Sequence, residues 1–70
     1  MSELKLEGHP NIALHNVLKL EGWCESGASA KHAIEEGRVL VDGHVELRKR
    51  CKIVAGQVVE FEGRHVKVAE

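Results

Sequence analysis

Ser26-Gly27-Ala28-Ser29-Ala30-Lys31-His32-Ala33-Ile34-Glu35-Glu36-Gly37 runs directly into Arg38-Val39-Leu40-Val41-Asp42-Gly43-His44-Val45-Glu46-Leu47 and then Arg48-Lys49-Arg50-Cys51-Lys52. The first segment is patterned as a helix. Ser26 offers a hydroxyl to the amides of Ala28 or Ser29, Ala30, Ala33 and Ile34 recur at helical spacing, and Gly37 supplies the stop. Because two of these three seam residues are alanines, the helix can lie close to its neighbour while burying little apolar area. From Arg38 the period changes to two. Val39 and Val41 share a strand face, Asp42-Gly43 is a tight-turn dipeptide, and Val45 and Leu47 continue the return. The run 48–52 has no apolar alternation and reads as a basic loop.

Upstream, Ser2 to Glu7 alternates polar and apolar residues, as an edge strand with Leu4 and Leu6 turned inward would. Gly8 ends it, Pro10 suits the lead into a first turn, and Asn11 is the expected cap of a first helix over about Ile12 to Leu20. Ala13, Leu14, Val17, Leu18 and Leu20 supply its apolar stripe, Gly22 its left-handed stop, and Trp23 is placed to cover the junction between the helices. Downstream, Ala55-Gly56-Gln57 turns into a strand over Val58 to Phe61, and Glu62-Gly63-Arg64 makes a last hairpin into Val66 and Val68.

Seventy residues predict one domain, 1–70, of α+β class. One Trp, one Phe and no Tyr suffice for a small core, which is where Trp23 and Phe61 are expected, but leave little surface for stacking on bases. The net charge of −1 hides an asymmetry. In residues 1–37, three lysines against six glutamates leave −3, whereas in 38–70 seven cations against five carboxylates leave +2, concentrated at 48–52. No secretory leader and no apolar run long enough to cross a bilayer is visible, so Cys24 and Cys51 are expected as reduced thiols in a cytoplasmic setting. The histidines His9, His15, His32, His44 and His65 show no metal-ligand spacing with them, and neither a metal nor another cofactor is expected. Ser26 and Ser29 have no acid and base partners in sequence reach, so no catalytic constellation is expected.

These residues resemble the RNA-binding domain named for ribosomal protein S-four, the alpha-L RNA-binding motif, found also in pseudouridine synthases and bacterial tyrosyl-tRNA synthetases. The resemblance rests on the first helix, Gly22, the Ser26…Ala30-Lys31 start of the second, Glu36-Gly37-Arg38-Val39…Val41-Asp42-Gly43…Val45, and Gly56-Gln57-Val58-Val59, covering about 11–61. Within that family the chain is similar to small stand-alone bacterial members through Leu18-Lys19-Leu20-Glu21-Gly22-Trp23 and the stretch from Val45 to Gln57. The resemblance implies two antiparallel helices packed on a small curved, mostly antiparallel sheet. It also implies an RNA surface made by the start of helix two with nearby strand and loop cations. One departure stands out: where the family often has Arg after the capping Ser, this chain has Gly27, which leaves backbone amides to approach a phosphate directly.

Together these features predict a non-catalytic protein, expected as a monomer, that binds structured RNA, ribosomal RNA among the candidates, with room for a protein partner in a ribonucleoprotein. The RNA-contacting residues are expected to be Ser26, Gly27, Ser29, Lys31, Arg38, His44, Arg48, Lys49, Arg50 and Lys52. For Arg38 an equal alternative is to cap the last carbonyls of helix two, for Lys31 to pair with Glu35, and for His44 to serve only as a turn residue. His32 is a further outward-facing residue able to stack on a base. Lys31, Arg38 and the 48–52 cations are expected to form one continuous positive face. The competing expectation is a protein-interaction module whose acidic helical face, Glu21, Glu25, Glu35 and Glu36, docks a basic partner.

Overall fold

Two hairpin turns set the sheet. Asp42 and Gly43 have φ of 51° and 83°, and Glu62 and Gly63 have 48° and 80°; left-handed dihedrals at both turn positions match the twist of the flanking strands. In the computed structural model, which describes residues 2–70, these turns join β3 (Val39–Val41) to β4 (His44–Val45), and β6 (Val58–Phe61) to β7 (Arg64–Ala69). With β1 (Ser2–Lys5) they form an open five-stranded sheet in the order β1-β7-β6-β3-β4. Only the β1–β7 pair is parallel; the others are antiparallel. As expected, β1 is an edge strand, with Leu6 just beyond it buried and Leu4 half-buried.

The helices are α1 (Leu14–Leu20) and α2 (Gly27–Glu35). In α2, the Ser26 hydroxyl accepts from the Ser29 amide at 3.1 Å and Ser29 Oγ accepts from the Ser26 amide at 3.3 Å, a reciprocal cap. Ala30, Ala33 and Ile34 are buried. They meet Leu14, Val17 and Leu18 of α1 in one cluster with Val39, Ile53, Val59, Val66 and Val68. The protein is thus α+β, two helices on a mostly antiparallel open sheet.

Helix one ends at Leu20 as expected but differs from expectation at its start. Asn11 does not cap it. Ile12 and Ala13 are instead extended as β2 and pair with β5 (Lys52–Ile53), and the cap position is Ala13, which makes no side-chain hydrogen bond. The Cys51 carbonyl accepts from the Leu14 amide at 2.8 Å and the Lys49 carbonyl from the His15 amide at 3.3 Å. A distant segment thus satisfies the first-turn amides that a local side chain usually takes. At the other end Leu20 is exposed, not part of the stripe. Gly22, with φ of 75°, ends the turn, and the Trp23 amide donates back to the Leu18 carbonyl at 3.0 Å. The return from Asp42-Gly43 is also shorter than expected: β4 stops at Val45, and Val45 and Leu47 are exposed.

Candidate nucleic-acid interface

The basic segment is a loop only in part. Lys52 belongs to β5, while Arg48 to Cys51 fold back by a turn in which the Cys51 amide donates to the Arg48 carbonyl at 3.2 Å. The turn is clamped on α1. The Lys49 carbonyl accepts from the His15 backbone and also lies 3.1 Å from His15 Nδ1, which must be the protonated nitrogen because a carbonyl only accepts. Behind it, Ile53 is fully buried. The loop backbone is therefore held by α1 and the core while its cations project outward.

Those cations fall into two groups. Arg48 is engaged bidentately by Glu46, with Nε–Oε2 at 3.0 Å and an Nη2–Oε1 hydrogen bond at 3.1 Å; Lys49 Nζ lies 3.4 Å from Glu35 of α2. Arg50, Lys52 and Lys31 have no ion-pair partner among the described residues. Arg48, Arg50, Cys51 and Lys52 line one open cavity of about 450 Å³. Cys24 and Cys51 are free thiols, and burial pushes the pKa of each upward, so neither is activated as a nucleophile.

Glu46 is the residue that sequence reading missed here. The Arg48 side chain, and then the Arg48 backbone amide at 3.0 Å, hold its carboxyl at a pKa of about 2, down from 4.5. Glu46 and Arg48 are only two residues apart in the chain, so the opposite-charge neighbour was visible in the sequence. A depressed carboxylate stabilises the fold above its unfolded pKa, and this contribution disappears as pH falls from about 4.5 through about 2. Glu46→Gln is accordingly expected to lower the melting temperature at pH 7, with the gap to wild type closing toward pH 2. Thermal scans across that range check it, and a gap independent of pH would remove the ion pair as its cause.

The other expected site residues are placed differently. The Lys49–Glu35 contact and the Lys49 carbonyl on His15 put the end of α2 beside the start of α1, so the helices are antiparallel. The start of α2, with Ser26, Gly27 and Ser29, therefore lies at the other end of the pair from the basic loop, about 13 Å along a nine-residue helix. A Cβ at Gly27 would meet no protein atom within 4 Å, leaving the first-turn amides open to approach. Lys31 is half-buried and not paired with Glu35; it shares the Glu35 flank, on the loop side. His44 is exposed in β4 next to the turn. His32 is exposed and 3.5 Å from Glu36.

Arg38 corrects two expectations. Its guanidinium pairs with Glu36 at 3.1 Å and with Glu62, and lies 5.2 Å from the centre of the Phe61 ring. It bridges helix end to hairpin turn through carboxylates rather than capping the helix carbonyls. It also sits on the flank of α2 that carries Ser29 and Ala33, with which it lines a groove. Ser29 and Lys31 are turned about 200° apart on the helix, so Arg38 and the Lys31–Lys49 side do not form one continuous face.

The acidic face is broken up as well. Glu35 is taken by Lys49, Glu36 by Arg38 and His32, and Glu21 accepts from the Ser2 hydroxyl at 3.1 Å, which leaves Glu25 alone. Asp42 has a structural use not anticipated: its carboxylate accepts from the Val58 amide at 3.0 Å, tying the first hairpin to β6.

Two helices, one capped by carbonyls of a distant turn and the other by its own serines, lie on an open sheet with a cationic loop at one end of the helix pair, and together define a small basic-loop α+β module. The S4 domain pattern matches residues 4–69, and the chain belongs to the S4 domain family. It is 62% identical over 68 residues, 97% of each chain, to the protein named "Putative RNA-binding protein YbcJ" in Escherichia coli (strain K12). It is equally similar to the protein named "Uncharacterized protein YbcJ" in Shigella flexneri. The solution structure of the Escherichia coli YbcJ, described as revealing an αL motif involved in RNA binding, superposes with a TM-score of 0.77. The two share 60% identity, covering 100% of this chain and 89% of that one.

Proposed function

We propose that residues 1–70 act as one RNA-binding domain that recognises folded RNA, ribosomal RNA among the candidates, without chemistry of its own. The observation that carries this reading is the set of unpaired cations, Arg50 and Lys52 with Lys31 on the adjoining helix flank, held on a backbone clamped to α1. Phosphates are the ligand that such fixed, unpaired cations suit, and the similarity to YbcJ supports RNA as their source. Arg48 and Lys49 contribute positive potential partly offset by Glu46 and Glu35. The open amides at Gly27 and Ala28, with Ser26 and Ser29, and the exposed His44 provide secondary contacts at the other end of the surface. Folded RNA suits the module because it is recognised mainly by shape and phosphate, which needs few aromatic side chains. The protein works as a monomer in the cytoplasm on this reading, alone or beside a protein partner in a ribonucleoprotein.

Filter binding across a salt series tests the proposal. With about three or four phosphates neutralised, the logarithm of affinity should fall against the logarithm of salt with a slope of roughly −2 to −4. A folded RNA should outcompete an unstructured strand of equal length. A slope near zero, or a preference for the unstructured strand, would overturn it.

A further inference from the structure

The chain's single tryptophan is only half-buried. Trp23 lies against Phe61 with ring centroids 6.3 Å apart and planes 20° from parallel, while Phe61 itself is buried. Part of the indole is left to line an open groove of about 310 Å³ on the flank of α2 turned away from the basic loop. Trp23, Phe61 and Ala33 make its apolar side; Glu25, Ser29, Glu62 and Arg64 make its polar rim. Arg38, locked to Glu36 and Glu62, closes the rim.

We propose that this groove receives one unpaired base of the bound RNA, stacked on Trp23. The inference rests on the RNA-binding reading above and adds a second contact of different chemistry. Its volume is at the low end of small-ligand sites, suited to one planar ring system rather than an extended ligand. Formal charges within it cancel, Arg38 and Arg64 against Glu25 and Glu62. A phosphate would therefore meet two carboxylates, whereas a neutral heteroaromatic ring is not repelled. The rim also carries both kinds of hydrogen-bonding group that a base edge needs. Arg64 and Glu25 have no ion-pair partner among the described residues, so donors and an acceptor are available. Ser29 Oγ is already engaged by Ser26 on both its donor and acceptor sides, which fixes the rim at that point. Stacking on an aromatic face is tolerant of base identity because every base has a π-face. The groove therefore selects for an unpaired base, not for a sequence.

The geometry separates two recognition elements. The loop cations on one side of α2 read phosphate, and the Trp23 groove along its opposite flank reads whether the RNA helix has a base out of its stack. Double-stranded RNA with a bulge presents both, and perfectly paired RNA only the first.

Two labelled RNA hairpins test this, identical except that one carries a single bulged adenosine. Anisotropy of the label gives affinity, and Trp23 emission, the only tryptophan signal, reports on the groove. The bulged RNA is expected to bind about ten-fold tighter, to quench Trp23 and to shield it from acrylamide, while the paired RNA binds without changing its emission. The affinity ratio should stay constant across a salt series, because stacking releases no counterions. Trp23→Leu should bring the two RNAs to the same affinity. Since Trp23 packs on Phe61 and its loss can affect folding, Arg64→Ala, an exposed rim change, provides the second variant and should shrink the ratio. Equal affinities with unchanged emission in the wild type would overturn the groove while leaving RNA binding in place. Failure of both hairpins to bind would overturn the functional reading itself.

Discussion

Arg50→Ala combined with Lys52→Ala is expected to lower affinity for a folded RNA by roughly 30- to 100-fold at 0.1 M salt, with the melting temperature unchanged. Each phosphate neutralised on duplex nucleic acid contributes about 0.9 to the salt slope, so at 0.1 M each is worth nearly a factor of ten. Both side chains are exposed and neither has an ion-pair partner among the described residues, so little stability is lost with them. Lys52 keeps its backbone pairing with Ala13 whatever its side chain. Arg48→Ala with Lys49→Ala should do less, because a phosphate must compete there with Glu46 and Glu35 already in place. Filter binding at four or five salt concentrations measures both doubles, and the first should also flatten the slope by nearly two. Equal losses for the two doubles would show that internal pairing does not decide which cations bind.

The largest effect on stability is expected at Ile53. It is fully buried, and its strand holds β2 through the pairing of Ile12 with Ile53. Ile53→Ala should cost about 2–5 kcal/mol, the transfer energy of the lost atoms plus the cavity they leave. Total stability for 70 residues is only roughly 4–10 kcal/mol, so the variant should melt far below the wild type. The consequence reaches the site, because the clamp of Cys51 and Lys49 on the first turn of α1 immediately precedes this residue. Ile53→Val, at about 0.5–1.5 kcal/mol, should remain folded and bind RNA as the wild type does. Chemical denaturation of both variants decides it. A fully folded, stable Ile53→Ala protein would mean that β2–β5 pairing does not anchor the loop.

How well each element could be read from the chain follows from the range of the interaction that builds it. Helix two was legible to its ends, since Ser26 and Gly37 act within four residues of the groups they satisfy, while the return bond from the Ser26 amide to Ser29 was not read. The two hairpins were legible for the same reason, through Asp42-Gly43 and Glu62-Gly63. The start of helix one was not. Its amides are satisfied from Lys49 and Cys51, more than thirty residues away, and a side chain with capping chemistry at Asn11 is passed over because Ile12 gains a strand partner in Ile53.

The sequence by itself determined the α+β class, the seam Ala30, Ala33 and Ile34, the turn positions, and the presence of a cationic segment at 48–52, all written in local period and residue type. Only the tertiary structure decided which cations are free. Glu35 reaches from the end of α2 to Lys49 in the basic turn and Glu62 reaches Arg38 from the last hairpin, so Coulomb partners brought together by folding divide one cationic composition into paired and unpaired groups. It also decided that the start of α2 and the basic loop lie at opposite ends of the helix pair. Antiparallel packing puts the start of one helix beside the end of the other, so the loop that caps the start of α1 lies by the end of α2 and away from its start.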